Sequence, residues 1–442
     1  MRHIYDDLRE SLRVSIWFIP LLFCLYAFSL AVLLLTIERG ILLDMGDVTF
    51  LSMSVSSARQ VLGVIAGSVL SIGGVVFSVT MVSLTLTSGQ YGPKVLRQFL
   101  GDRQSKVSLG LFLGTSVYAL VVLSGYGDTD KPSITVIAAL AMVMLALGGF
   151  IHFIHRTATD LQADKIIKEI GDELCTGLDK LVSETGTTHR QSNSAPWRKA
   201  VRGASRILVG GDTVGYVQTI NYERLTAWCK QHDGRILVQV RAGDFVLPGN
   251  RLMAVYGCSQ DLLSEHCNYL RECLITGPIR TPVQDPEYPI TQLNQLCARA
   301  LSPGINDPGT AITCIDWFSM ALGSVIDKQF MGNVHADDSG EPRLLARGTD
   351  FAGITQAFYA PTRQQAIGNM PVMIALLQSL IRLAQLTAAA GRLDLLLREA
   401  IMLQKQVDIG QYSDVDIAAF RQRYRKFRRV VQQRSAWREK HI

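Results

Sequence analysis

Four stretches of this chain contain no Asp, Glu, Lys or Arg: residues 14–37, 61–88, 107–124 and 134–151. A hydrocarbon core about 30 Å thick takes roughly 20 helical residues at about 1.5 Å each. The first two stretches can therefore cross it with room to tilt, and the last two fit it closely. Charged residues make up 19% of the 442, below the roughly 25% usual for soluble domains, and the deficit lies in this N-terminal part. This pattern excludes a disordered or acidic solvating chain and points to membrane insertion. A signal peptide does not account for the first stretch: Arg2, Arg9 and Arg13 precede it, but it is too long for an h-region and no A-x-A-like site follows.

Lys and Arg in short connections are held on the cytoplasmic side during insertion. Arg2, Arg9 and Arg13 precede the first span, and Lys94, Arg97, Arg103 and Lys106 follow the second. Only Arg39, Arg59 and Lys131 occupy the other two connections. This asymmetry predicts a multi-pass protein of a bacterial inner membrane with both termini, and everything after residue 156, in the cytoplasm. Of the eight cysteines, seven follow the spans and Cys24 lies within the first, with no C-x2-C pair among them. They read as reduced core thiols, with no disulfide framework, metal site or cofactor implied.

The second span is rich in small residues. Gly63, Gly67 and Ser71 recur every four positions, and Gly74 and Ser78 repeat the interval, giving a shallow face that another helix can approach closely. Thr80, Ser83, Thr85, Thr87 and Ser88 follow. Their hydroxyls can bond back to carbonyls one turn earlier, or line a polar path if several subunits meet at an axis. The first span carries Pro20, which predicts a kink one or two turns inside it, and its Leu, Phe and Ala content suits a peripheral, lipid-facing helix. No span holds an ionisable carboxylate or base, which argues against coupled transport and leaves a passive pore, a sensor or an anchor. His152 and His155 lie three apart with no Cys, Asp or Glu before Asp160, so contact with headgroups explains them more simply than a metal.

At the end of the second span the chain reads Ser88-Gly89-Gln90-Tyr91-Gly92-Pro93-Lys94-Val95-Leu96-Arg97, then Phe99-Leu100-Gly101-Asp102. Further on it reads Arg299-Ala300-Leu301-Ser302-Pro303-Gly304-Ile305-Asn306-Asp307-Pro308-Gly309-Thr310-Ala311. With four spans ahead of a large polar region, these strings resemble the bacterial predicted-membrane-protein family known as domain of unknown function 2254. The resemblance extends over nearly the whole chain and implies fold and membrane location more than an activity. On their own chemistry, Gly92-Pro93 ends a helix and Lys94 and Arg97 supply charge at headgroup level. Leu301 ends a helix, and Asp307-Pro308 starts another with the carboxylate as N-cap. The second string is then a tight helix corner, or a ligand or subunit contact built from Ser302, Asn306 and Asp307.

The expected architecture is a membrane α-helical part of four transmembrane helices followed by an α+β cytosolic region. Its divisions are a four-helix membrane domain (1–156), a connecting amphipathic helix and polar linker (157–199), a small β-rich module (200–257), a mainly helical domain (258–420) and a basic tail (421–442). Strand signals cover 207–209, 215–220, 236–240 and 252–256. Residues 241–249 resemble the turn of lipoyl- and biotinyl-type barrel-sandwich domains, in which Val246 would plug a small barrel, but no Met-Lys-Met is present for a carrier. Helices are expected over 261–274, 290–301, 308–326, 362–367, 372–390 and 394–406, with a loop or edge hairpin at 332–347. Arg280, Thr281, Asp285 and Arg299 could form a site or buried ion pairs.

The tail holds nine of the 44 basic residues against Glu439 alone, while the other 35 face 37 acids, so the formal +6 resides there. Tyr424, Phe427, Val430, Val431 and Trp437 are interleaved with Arg425, Arg428 and Arg429, which suits a helix on anionic lipid headgroups or a solvated helix. No nucleic-acid module is recognised, and no P-loop, G-x-S-x-G or H-E-x-x-H motif speaks for an enzyme. The leading functional reading is a homo-oligomer whose second spans meet to form a passive channel-like path, with the cytosolic part as an assembly or gating platform. A non-conducting scaffold or sensor competes with it, and a membrane-anchored enzyme is least supported.

Overall fold

The computed structural model describes residues 17–39, 54–91, 103–127, 134–160, 163–182, 190–191 and 194–441. Two compact units divide the chain, Met1–Gln162 and Ala163–Ile442.

The N-terminal unit contains α1 (Phe18–Arg39), α2 (Val55–Tyr91), α3 (Arg103–Gly125) and α4 (Ile134–Asp160). Each is long and apolar enough to cross a membrane. The third is the hub, packing on the other three, with 56% of its apolar window buried against 22–33% elsewhere. Glycine explains the closeness. A β-carbon at Gly110 would stand 3.0 Å from the Phe23 ring, and one at Gly114 would stand 3.1 Å from the Phe23 carbonyl oxygen. Opposite them Ala27 and Ala31 of α1 are fully buried, whereas Leu21, Leu25, Phe28 and Leu33 face outward, as a peripheral span in lipid requires. Pro20 lies in the first turn of α1, not inside the helix, where its missing N–H breaks no intrahelical bond and no kink follows.

Polar groups close one end of this bundle. Glu38 accepts the Ile134 N–H (3.0 Å) and the Thr135 hydroxyl (2.6 Å), capping α4 from the end of α1. The Arg59 guanidinium donates to the Tyr126 carbonyl (2.7 Å), and the buried Tyr118 hydroxyl donates to the Thr135 carbonyl (2.9 Å). In an apolar medium such bonds replace those water would supply.

The C-terminal unit is mixed. Its first helix, α5 (Ala163–Asp179), buries Ile166, Ile167, Ile170, Leu174 and Leu178 on one stripe. A short α6 (Ala195–Ala200) follows the two-residue strand β1 (Arg190–Gln191). Then come β2 (Arg206–Gly210), β3 (Gly215–Ile220), α7 (Tyr222–Gln231), β4 (Arg235–Val238), β5 (Phe245–Val246), β6 (Arg251–Tyr256), α8 (Gln260–Glu272) and β7 (Leu274–Gly277). Helices α9 (Glu287–Ala300) and α10 (Pro308–Ser324) precede the hairpin β8 (Val334–Ala336) and β9 (Pro342–Leu345). The chain ends in α11 (Phe351–Gln365), α12 (Met370–Leu386), α13 (Ala390–Ile409) and α14 (Asp414–His441).

Six strands form one sheet in the order β1-β8-β9-β4-β6-β2, and three form another in the order β5-β3-β7. Only the β4–β9 pairing is parallel among the described strands, with Ile236 opposite Leu344 and Leu237 opposite Leu345. The 332–347 hairpin is therefore inside the large sheet and not at its edge, because β9 sits between β8 and β4. Ile236, Val238, Met253, Val255 and Leu344 of this sheet are buried together with Leu225 and Trp228 of α7 and Leu263 and Leu270 of α8. The 241–249 segment turns at Gly243 (φ +93°) and Gly249 (φ +85°) and buries Val246, but it belongs to the open three-stranded sheet and not to a small barrel.

A helix through a proline explains the largest boundary difference. Sequence signals begin α11 only at 362, after Pro361, yet the helix starts at Phe351 behind the Asp350 cap, which accepts the Gly353 N–H at 2.8 Å. Pro361 cannot donate to the carbonyl four residues earlier. That carbonyl, of Ala357, accepts instead from the Asn294 side-chain amide at 2.7 Å, and the Thr362 hydroxyl donates to the Asn294 oxygen at 2.9 Å.

Candidate functional site

The small-residue stripe of α2 faces away from its own bundle. Ala58, Leu62, Ile65, Ala66, Val69 and Val76 form the buried side, while Gly63, Gly67, Ser71, Gly74 and Ser78 are exposed. Nothing among the described residues lies within 4 Å of a β-carbon built on Gly63, Gly67 or Gly74. The neighbouring Gly73, outside the stripe, is the α2 glycine that meets α3, 3.2 Å from Phe112. The hydroxyls satisfy their donors locally: Ser71 donates to the Gly67 carbonyl (2.9 Å), Thr80 to Val76 (2.7 Å) and Thr85 to Met81 (2.9 Å). Their oxygens keep lone pairs for a further partner.

The Gly110-Leu111-Phe112-Leu113-Gly114 string went unmarked in the sequence, although it has the same small-x-x-x-small spacing. Spacing alone does not tell an occupied glycine face from an open one. Burial separates them.

The Asp307 corner is a completed cap. Helix α9 ends at Ala300 with Leu301 as C-cap, and Asp307 accepts the Thr310 N–H (3.2 Å) and hydroxyl (2.6 Å) at the start of α10. These bonds to Thr310, with the Gly309 N–H, hold its carboxyl below the usual range against the opposing effect of desolvation. Ser302 donates its hydroxyl to the Arg299 carbonyl (2.6 Å), and Asn306 takes the left-handed conformation (φ +47°) that lets the chain reverse. Asn306 and Asp307 are exposed and Ser302 half-buried, with Ile305 56% exposed between them.

Of the other polar candidates, Arg280 pairs with the buried Asp285 at 2.6 Å. Desolvation raises the Asp285 pKa, and the adjacent guanidinium opposes that rise. Lys94 and Arg97 lie outside the described residues. The basic segment is not a free tail: α14 packs on α12 and α13 and buries Phe420 and Phe427 completely. Arg425, Lys426, Arg428 and Arg429 remain exposed on the helix and form no ion pair among the described residues.

Four apolar helices followed by this mixed unit match the sequence profile of a family described as predicted membrane protein (DUF2254) over residues 13–382. The chain belongs to that family. It is 27% identical over 336 residues to an uncharacterized protein of Mycobacterium tuberculosis and, equally, to one of Mycobacterium bovis. Each match covers 74% of this chain and 64% of the relative, so the chain aligns with less than two thirds of either protein's length. No solved structure matches it. The family match takes in the α2 stripe and the Asp307 corner and stops within α12, so α13 and the basic α14 lie beyond it.

Proposed function

We propose that this membrane protein is a homo-oligomer joined through the outer face of α2, whose meeting helices line a passive channel-like path. The C-terminal unit serves as its assembly or gating platform in the cytoplasm of a bacterial inner membrane. The supporting observation is the open glycine stripe. An interior glycine costs a helix about 1 kcal/mol relative to alanine, and lipid tails gain nothing from small residues that larger apolar ones would not supply. Gly63, Gly67 and Gly74 have no close neighbour within the described chain, so a second copy of α2 is the partner that uses them.

Gly67→Leu tests this by mass measurement of the purified protein in detergent. The parent is expected as an oligomer and the variant as a smaller species with unchanged helicity. An unchanged mass would remove the α2 interface. Conductance of the reconstituted parent across planar bilayers then separates a pore from a non-conducting scaffold, the reading favoured by hydroxyls that spend their protons on their own helix. Reporter fusions after residues 128 and 186 are expected on opposite sides of the membrane if both termini are cytoplasmic. The exposed basic face of α14 meets anionic headgroups in this reading, chiefly by charge, because Phe420 and Phe427 are spent on the protein and Trp437 alone of its large aromatic residues is exposed among the described residues.

A further inference from the structure

The C-terminal unit carries a cleft of about 190 Å³ that the proposed assembly does not use. It opens where β4 and β9 end: Arg241 and Ala242 follow the first strand, and Ala346, Arg347, Gly348 and Thr349 follow the second. These two strands are the parallel pair. Loops at the carboxyl ends of parallel strands diverge and leave a crevice, the usual place for a ligand in such sheets. Lys180, just beyond α5, and the stacked rings of Tyr222 and His335, 4.6 Å apart, form further parts of the wall.

Much of this wall is locked. Arg241 grips Glu287 through two bonds of 2.6 and 2.8 Å, and the Thr349 hydroxyl donates to the same carboxylate at 3.0 Å. Asp285 is neutralised by Arg280, and a side chain at Gly348 would run into Asn333, which keeps those two loops in close contact. With these charges matched, two groups are left over and a third is only loosely paired. The Lys180 ammonium and the Asn333 amide have no side-chain partner among the described residues. Arg347 gives one nitrogen to the Gln239 carbonyl (3.1 Å) and pairs loosely with Asp244 at 3.7 Å, which leaves its remaining N–H groups to donate.

We propose that this cleft binds a small oxyanion, a phosphate or carboxylate, held by Lys180 and Arg347 and oriented by the Asn333 amide. Two cations and a neutral donor around a cavity match the charge and acceptor oxygens of such a group. The volume lies below the roughly 300–1,000 Å³ of pockets for drug-sized ligands, which selects a small anion over a nucleotide or cofactor. The site lies within one unit and does not depend on α2-mediated assembly.

Calorimetric titration of the full chain in detergent tests it, with inorganic phosphate and with malonate as probes in sodium chloride of matched ionic strength. Parent protein is expected to bind at least one of them, and Lys180→Gln with Arg347→Gln to bind it about tenfold or more weakly. Both substituted residues are exposed, and an unchanged melting temperature of the ligand-free double variant verifies that it folds. Binding of phosphate alone assigns the site to phosphate, and of malonate alone to carboxylates. Silence of both probes with the parent, or equal affinity in parent and variant, overturns the proposal.

Discussion

The two units bury polar and small groups by opposite rules. In the C-terminal unit, two buried carboxylates each enter the interior with an arginine: Asp285 with Arg280, and Asp337 with Arg343 at 2.8 Å. In the spans of the N-terminal unit, Thr115 donates its hydroxyl to the Leu111 carbonyl (2.7 Å) and Tyr118 donates to the Thr135 carbonyl (2.9 Å), and glycine sets how near helices come. Water drives apolar side chains together whatever their shape, so a water-facing unit can accept ion pairs within a sufficient core. Lipid supplies no such drive, and association there depends on close fit and hydrogen bonds.

Substitution in each unit tests that contrast, and the largest effect belongs to the buried pair. Asp337 accepts from the Ser339 N–H (3.0 Å), the Glu341 N–H (3.1 Å) and the Arg343 guanidinium (2.8 Å). Asp337→Ala is expected to cost about 3 kcal/mol in chemical denaturation of the full chain, since breaking a buried pair strands its partners. Burial opposes ionisation of this carboxyl, but the bonds from Ser339, Arg343 and Glu341 outweigh it and hold the pKa below the usual range. A carboxylate depressed in the folded state contributes fully above its unfolded value of about 3.9, and the contribution is lost as pH falls through the folded value. The stability gap between parent and Asp337→Asn should therefore narrow on acidification, and a gap that is constant down to pH 2 would remove the ionic explanation.

Next comes the pair of glycine faces. Gly114→Leu must displace the Phe23 backbone and is expected to destabilise the N-terminal unit by about 1–3 kcal/mol, read as a lower melting temperature in detergent. A β-carbon at Gly67 meets nothing among the described residues, so the melting temperature of Gly67→Leu should change only as far as assembly is lost. Equal thermal losses in the two variants, with no change in mass, would abolish the distinction between the occupied and the open face.

Asp307 is a smaller test, in the C-terminal unit. As an N-cap it needs only an acceptor oxygen, so Asp307→Ala should cost about 0.5–2 kcal/mol while Asp307→Asn costs little. If Asn proves as damaging as Ala, the charge itself matters, and the corner holds a cation or a basic group of another subunit. The smallest effect on stability is expected at α14. Changing Arg425, Lys426, Arg428 and Arg429 to Gln should alter stability by less than about 0.5 kcal/mol for each surface position. The same change should abolish the slower chymotryptic cleavage at Trp437 expected of the parent in phosphatidylglycerol compared with phosphatidylcholine nanodiscs. Cleavage independent of lipid in the parent would dissociate α14 from the membrane.

What the amino-acid sequence determined by itself is what depends on neighbours along the chain. The four spans follow from runs without charge and the rise of a helix, and the start of α10 from the Asp307-Pro308 pair, whose bonds reach only to Thr310. Tertiary structure decided whatever rests on a residue far away. Helix α11 runs through Pro361 because Asn294, 63 positions from Ala357, takes the orphaned carbonyl. The β8–β9 hairpin is interior because β4, about a hundred residues earlier, pairs with β9. Phe427 reads as lipid-facing by composition, yet it is buried in protein, and of two glycine stripes with one spacing only Gly110–Gly114 is filled, by Phe23. Periodicity states which side chains share a face, whereas what covers that face is set by packing between segments that carry no record of one another in their local pattern.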